Sequence, residues 1–193
     1  MINAKEVYAP DRRTWRAWLA ANHATEQSVW LVYDKSDPGA GRALTYEAIV
    51  EEAVCFGWID SVSGKVSETQ RKLFISRRKP QSAWSQSNKE RVEQLRAHGL
   101  MTPAGEQAIA AAQANGAWER LDASDRLERP PALVRQLEAN DAAKAFFAAL
   151  SPASQRIILA WIYSARTEAT QLKRIAETVD LAAKGIKAHH QRQ

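Results

Sequence analysis

Three consecutive basic side chains, Arg77, Arg78 and Lys79, are followed closely by Ser82, Trp84, Asn88 and Arg91. Arginine meets phosphate or carboxylate oxygens two at a time, lysine adds a point charge, and a serine that opens a helix leaves backbone N–H groups directed outward. A strand end, a basic loop and a helix N-terminus in that order make an anion site. Asn88 and Arg91 would line the same cleft, with Trp84 as a wall. The competing account keeps Trp84 in the core and pairs the arginines with Glu68 or Glu90. Asp60 is a second candidate. Set after Trp58 and Ile59, its carboxylate would act as a general base or orient a ligand's hydroxyl or amine, with Trp58 as a further wall. Its plainer role is a turn residue, or a partner for Arg77 or Arg78.

Other reactive residue types carry less. Cys55 lies between Val54 and Phe56 and reads as an inert buried thiol; neither His23 nor His98 can be placed beside it as a base. His189 and His190 have no further ligands near them in sequence, so no metal site is expected. Gly39 and Gly41 lack the third glycine and the strand-to-helix setting of a dinucleotide loop, and there is no phosphate-binding P-loop, zinc-protease helix or serine-hydrolase elbow. No cofactor is expected. Arg166, Lys173 and Arg174 read as a solvated face, or as a second wall of the anion site if the C-terminal part folds back.

The charge is unevenly placed. The chain of 193 residues carries +5, yet the window from Lys65 to Arg91 alone carries +6. That asymmetry fits a patch facing an anionic partner, or a solvated face that keeps the protein soluble. With seven tryptophans in the chain, basic and aromatic residues together also fit a nucleic-acid surface. One cysteine fits a reducing compartment. The N-terminal residues contain no apolar run of signal-peptide length, and no stretch approaches the ~20 apolar residues of a membrane span, which places the protein in the cytoplasm without membrane insertion.

These residues need elements to hold them. Asp11 caps a helix running to about Asn22, with Trp15, Trp18 and Leu19 on one stripe. The run 28–34 is a strand. Thr45 caps a second helix carrying Ile49, Val50, Ala53 and Val54 inward, and Gly57 stops it. Further strands are predicted over 58–62, over 65–67 after a turn at Ser63 and Gly64, and over 72–77, with Leu73 and Ile75 opposite Phe74. Ser82 caps a helix that carries Trp84, Asn88, Val92 and Leu95 and ends at His98 and Gly99. Thr102 and Pro103 open an alanine-rich helix that stops at Asn115 and Gly116. Residues 119–130 read as a linker, and helices over 131–139 and 141–150 follow. Ser151 and Pro152 open the next, with Ile157, Ile158, Trp161 and Ile162 as its stripe. The last, over 168–184, turns Leu172, Ile175, Ala176 and Val179 inward. Residues 186–193 read as a disordered tail. The fold class is α+β: a small mixed or antiparallel sheet with helices over 1–118, then a C-terminal helical unit over 131–185.

Two blocks carry a resemblance. The first is Cys55-Phe56-Gly57-Trp58-Ile59-Asp60-Ser61, then Arg78-Lys79-Pro80, Ser82, Trp84-Ser85, Asn88 and Arg91, then Met101-Thr102-Pro103-Ala104-Gly105. The second is Leu150-Ser151-Pro152, Trp161-Ile162, Ala165-Arg166, Glu168, Thr170 and Arg174-Ile175. In that order and spacing the chain resembles the YdeI/OmpD-associated family, also called bacteriocin-protection proteins, from the Trp15 helix to Gly185. The resemblance implies a link to resistance against cationic antimicrobial peptides and implies no settled reaction. Where the family carries a basic residue after the threonine of the second block, this chain has Gln171.

The reading is a cytoplasmic stress- or antimicrobial-protection protein that binds a small anionic ligand. Arg77, Arg78 and Lys79 would hold the anion, Trp58 and Trp84 would wall it, and Asp60 and Asn88 would orient it, with Ser82 and Arg91 beside them. Two alternatives stand: nucleic-acid binding through 65–91, and an enzyme on a small metabolite with Asp60 as base. The sequence sets no oligomeric state.

Overall fold

The computed structural model describes residues 4–35, 44–165 and 167–189. Gly39, Gly41, Arg166 and His190, weighed above, lie outside them. The chain divides into two units, Met1–Ser82 with Ser87–Ala117, and Ala83–Gln86 with Trp118–Gln193.

The N-terminal unit is built on a four-stranded sheet of order β1-β2-β4-β3, from β1 (Glu6–Tyr8), β2 (Ser28–Asp34), β3 (Trp58–Lys65) and β4 (Gln70–Arg77). β1 runs parallel to β2, and β4 runs antiparallel to both β2 and β3, so the sheet is mixed. Cross-strand partners Val29 with Ile75 and Leu31 with Leu73 are buried, as is Trp58, and make one apolar face. Two helices have the caps their sequences call for. In α1 (Arg12–Asn22) the Asp11 carboxylate accepts from the Thr14 N–H, and in α2 (Tyr46–Cys55) the Thr45 hydroxyl accepts from Ala48. Trp15 and Leu19 are buried one turn apart on α1, and the Trp15 indole N–H donates to the Ile49 carbonyl of α2. Between them lies a buried carboxylate. Glu52 receives Arg12 Nε and Arg16 Nη1 at 2.6 Å each, which supplies the partners a buried charge requires.

Three features of this unit differ from expectation. β1 is too short to show a period and is defined by its parallel partner. β3 continues through Ser63 and Gly64 with an irregular register between Asp60 and Ser63. The chain reverses at 66–69 instead, where the Ser67 hydroxyl accepts from the Thr69 and Gln70 N–H groups, a local bond that stabilises a turn. The third helix, α3 (Gln86–Ala97), begins after Ser82. Ser82 lies in a turn with its N–H on the Lys79 carbonyl, and the first helical N–H, that of Gln86, donates to the Asp125 carboxylate at 2.8 Å. Next, α4 (Pro103–Ala114) has the expected Thr102 cap and initial proline.

The C-terminal unit holds a one-turn helix α5 (Asp122–Asp125), then α6 (Pro131–Glu138), α7 (Asp141–Ala149), α8 (Pro152–Tyr163) and α9 (Glu168–Ala183). Its core is Leu133, Leu137, Phe147, Ile158, Leu159, Ile162, Ile175 and Val179. The stretch 119–130, expected as a linker, contains α5 and sends Leu127 against this core. The stripes on α8 and α9 are rotated from expectation. Ile157 and Leu172 are 53% and 42% exposed, while Gln155 and Thr178 are buried. At the expected tail, Ala188 is buried and the His189 ring stacks on Trp161 at 5.0 Å. Arg174 donates to the Trp161 carbonyl and to the Ser164 hydroxyl, and its guanidinium lies over the Trp161 ring, an arrangement that satisfies the C-terminal end of α8. Among the described residues, no single helix is long and apolar enough to cross a membrane.

Candidate functional site

Four chain segments of the N-terminal unit meet around a pocket of about 360 Å³. They are the end of α1 (His23, Ala24), the turn between α2 and β3 (Phe56, Gly57), the end of β4 (Arg77, Arg78), and the first turns of α4 (Ala104, Gln107, Ala108). The α2–β3 turn depends on Gly57, whose φ is +73°. A Cβ there would stand 2.9 Å from Ala108 Cβ and 3.0 Å from the Ala104 carbonyl oxygen, so α4 can approach only a glycine. The approach is fixed by hydrogen bonds. The Cys55 carbonyl, at the open end of α2, accepts from both the N–H and the hydroxyl of Thr102, which satisfies an acceptor the helix itself leaves over. Arg78 is set in place by its own N–H, which donates to the Gly57 carbonyl at 3.0 Å. Arg77 reaches the opposite side, where its Nη2 donates to the His23 and Glu26 carbonyls at 3.0 Å each.

The pocket is cationic. Arg77 and Arg78 line it, and no carboxylate does. Arg78 is 8% exposed. Burial pushes its guanidinium down to about 10, and the Asp60 charge pulls it back up. Asp60 accepts a hydrogen bond from the Tyr46 hydroxyl at 2.8 Å. The Tyr46 phenol is pushed up to about 12, by burial first and by that hydrogen bond second, while the charge of Arg91 works against the rise. Arg91 in turn donates to Asn88 at 3.1 Å. Arg77 and Arg78 therefore share the pocket, Asp60 sits near Arg78 on the side of Tyr46, and Asn88 and Arg91 form their own pair.

The remaining residues singled out in the sequence lie elsewhere. Trp58 is fully buried beside Trp18, edge to face at 6.0 Å. Its indole N–H is a buried donor with no hydrogen-bond partner among the described residues. Lys79 is exposed, and Ser82 lies in the turn that precedes α3. Trp84 is fully buried, belongs to the C-terminal unit, and packs on Trp118 at 5.0 Å. The basic window divides in several directions: Lys65 pairs with Glu68, and Lys72 pairs with Glu6 and lies over Trp30. Cys55 is buried. Burial is the main cause that raises its thiol, with the Glu52 charge second, which leaves it a poor nucleophile. His23, Phe56 and Gln107 also line the pocket: in the sequence His23 enters only as a base considered for Cys55, Phe56 only within the first block, and Gln107 not at all. The small residues Ala104 and Gly105 beside Pro103 are the local signal of a close helix approach.

An α+β unit with a cationic pocket, joined to an all-helical unit, sets the class of the protein. Residues 7–108, just over half of the chain, match the family described as "Domain of unknown function (DUF8412)". Residues 126–185 match the family described as "Bacteriocin-protection, YdeI or OmpD-Associated". The chain belongs to the first family, whose model covers just over half of it, and its C-terminal part is similar to the YdeI/OmpD-associated family. The block from Cys55 to Gly105 falls in the first match, and the block from Leu150 to Ile175 in the second. No curated protein and no solved structure matched the chain.

Proposed function

We propose that this protein binds a small anionic ligand in the pocket of its N-terminal unit, and that it does so in the cytoplasm as part of protection against cationic antimicrobial peptides and bacteriocins. The observation that carries the binding reading is two adjacent arginines lining one pocket that no carboxylate lines. The Arg78 guanidinium, with little access to water, interacts strongly with an anion, because its hydrogen bonds are charge-assisted and poorly screened. The family name matched by residues 126–185 supports the protection role. The division of the basic window into separate pairs favours a local pocket over a continuous nucleic-acid surface. Asp60, held by Tyr46 and near Arg78, is suited to positioning Arg78.

The test is calorimetric titration with inorganic phosphate, small carboxylates and a short oligonucleotide at low and moderate salt. Wild type is compared with Arg78→Met, and folding is checked by circular dichroism. Loss of one charge-assisted contact corresponds to roughly ten- to a hundredfold in affinity. Salt-tolerant binding of one small anion, weakened to that degree in the folded variant, is the expected result. Binding of oligonucleotide alone, erased by salt, or equal binding by variant and wild type, overturns the reading. Cells producing either protein, challenged with a cationic peptide, test the protection role separately.

A further inference from the structure

His23 lines the same pocket as the two arginines, and its ring is held in a defined way. Nδ1 lies 3.0 Å from the Leu19 carbonyl oxygen. A carbonyl offers no proton, so Nδ1 carries the hydrogen whether the ring is neutral or charged. Any proton gained or lost is therefore on Nε2, which has no hydrogen-bond partner among the described residues. The ring also packs on Phe56 with centroids 5.2 Å apart, and the backbone carbonyl of His23 is gripped by Arg77. His98 makes the same Nδ1 contact with Gln94 at the end of α3, so helix capping accounts for that bond at both histidines. It does not account for the placement of His23 beside two arginines, since His98 is exposed and lines no part of this pocket.

The charged groups lining the pocket around His23 are Arg77 and Arg78, from the end of β4. The α2–β3 turn contributes Phe56 and Gly57, and α4 contributes Ala104, Gln107 and Ala108, all uncharged. Two guanidinium groups, an imidazole able to carry a proton on Nε2 and an amide, beside small alanine walls, offer several donors to a compact group with several acceptor oxygens. With His23 protonated and the Asp60 charge acting on Arg78, the three cations leave two positive charges to be answered, which a dianion does and a singly charged carboxylate does not.

Building on the anion-pocket reading, we propose that His23, protonated on Nε2, is the third cationic contact of the site, and that the ligand is a small dianionic oxyanion of the phosphate type, free or as a monoester. Arg78 and the His23 Nε2–H donate to its oxygens. Arg77 is a positioning residue: it clamps the His23 and Glu26 carbonyls and adds its charge to the pocket.

Sulfate is the probe that tests this, because it remains a dianion across the pH range in which imidazoles titrate, so any pH dependence comes from the protein. Sulfate affinity of the full chain is measured by calorimetry at about pH 5.5 and about pH 8, for wild type, His23→Gln, Arg78→Met and His98→Gln. The expected result is affinity higher at the lower pH by roughly tenfold or more. His23→Gln abolishes this pH dependence and His98→Gln leaves it intact. Should His23→Gln fail to fold, the wild-type pH profile and the response of the His23 imidazole signals to sulfate in NMR decide the matter alone. Phosphate and glycerol phosphate, run in parallel at about pH 7, where both exist substantially as dianions, separate the free ion from the ester; binding of either with the same dependence on His23 supports the proposal. Sulfate binding that is equal at both pH values, yet lost in Arg78→Met, removes His23 from the site and leaves the anion pocket standing. No binding of any of the three anions under these conditions removes both.

Discussion

Replacing Gly57 by alanine probes the joint on which the pocket is built. Gly57, Gly99 and Gly116 share nearly the same backbone, with φ of +73°, +66° and +73°. An alanine at any of them adopts a left-handed conformation at a cost of about 1–2 kcal/mol. At Gly99 and Gly116 a Cβ meets nothing within 4 Å, whereas at Gly57 it meets Ala108 and the Ala104 carbonyl at about contact-breaking distance. Overpacking of that kind adds about 1–3 kcal/mol, and the nearer atoms belong to the helix, which cannot swing away as a flexible side chain would. Gly57→Ala is thus expected to cost about 2–5 kcal/mol against about 1–2 kcal/mol for Gly99→Ala and Gly116→Ala. Urea denaturation followed by tryptophan fluorescence and circular dichroism measures all three. Because α4 carries part of the pocket wall, Gly57→Ala is also expected to weaken anion binding at temperatures where it remains folded. If Gly57→Ala falls within ~0.5 kcal/mol of the two controls, the close approach of α4 to the turn is not what holds this joint, and the reasoning fails.

Other perturbations have equally definite outcomes. Glu52→Gln leaves Arg12 and Arg16 without their shared carboxylate. Since both arginines are partly exposed, with side chains 41% and 34% accessible, the expected loss is about 1–3 kcal/mol, below that of a fully buried pair; a change under ~0.5 kcal/mol in urea denaturation would contradict it. Cys55 is raised above its ordinary value of 9.0, so the folded state keeps the thiol proton to higher pH than the unfolded chain does. Its contribution to stability is present below that value and declines as pH rises through it. Native protein should accordingly react with a thiol reagent at about pH 8 only as fast as it opens. Tyr46 should be the phenol that ionises near 12 in an ultraviolet difference titration, and Tyr46→Phe should remove that late step; if the substitution instead removes a phenol that ionises near the ordinary value of 10.0, burial and the bond to Asp60 do not raise Tyr46 in solution.

How far the sequence leads depends on the distance between cause and effect along the chain. Helix starts were readable because the capping side chain lies within a few residues of the N–H groups it serves: Asp11, Thr45, Thr102 and Ser151 all cap as expected. The start of α3 was not readable, because Gln86 finds its acceptor on Asp125, far along the chain, and Ser82 offered a plausible local substitute. Apolar periodicity alone misplaces the faces of α8 and α9. Gln155 and Thr178 are buried because their side chains bond to the Leu150 and Arg174 carbonyls of the chain nearby, so a polar residue can occupy the inner face at no loss. At the pocket, Arg77 and Arg78 were visible as a basic run at a strand end. His23 and Gln107 were not, since no pattern local to either reveals that four segments meet there.

The tetrapeptide Ala83–Gln86, which groups with the C-terminal unit although it lies within the N-terminal stretch, bears on how portable each half of this gene can be. The boundary between the two family matches falls between residues 108 and 126, where a cut would seem natural to an engineer or to recombination. A fragment beginning at residue 118 would nevertheless leave Trp118 without the indole of Trp84 and Asp125 without the Gln86 amide. The complementary fragment would end with Trp84 deprived of its cover. During synthesis, the ribosome delivers this tetrapeptide well before the helices that receive it, so the C-terminal unit is completed from a strand of chain that has been waiting. Shuffling either half alone into another protein would therefore carry away a splinter of the other, and the two halves are best inherited together.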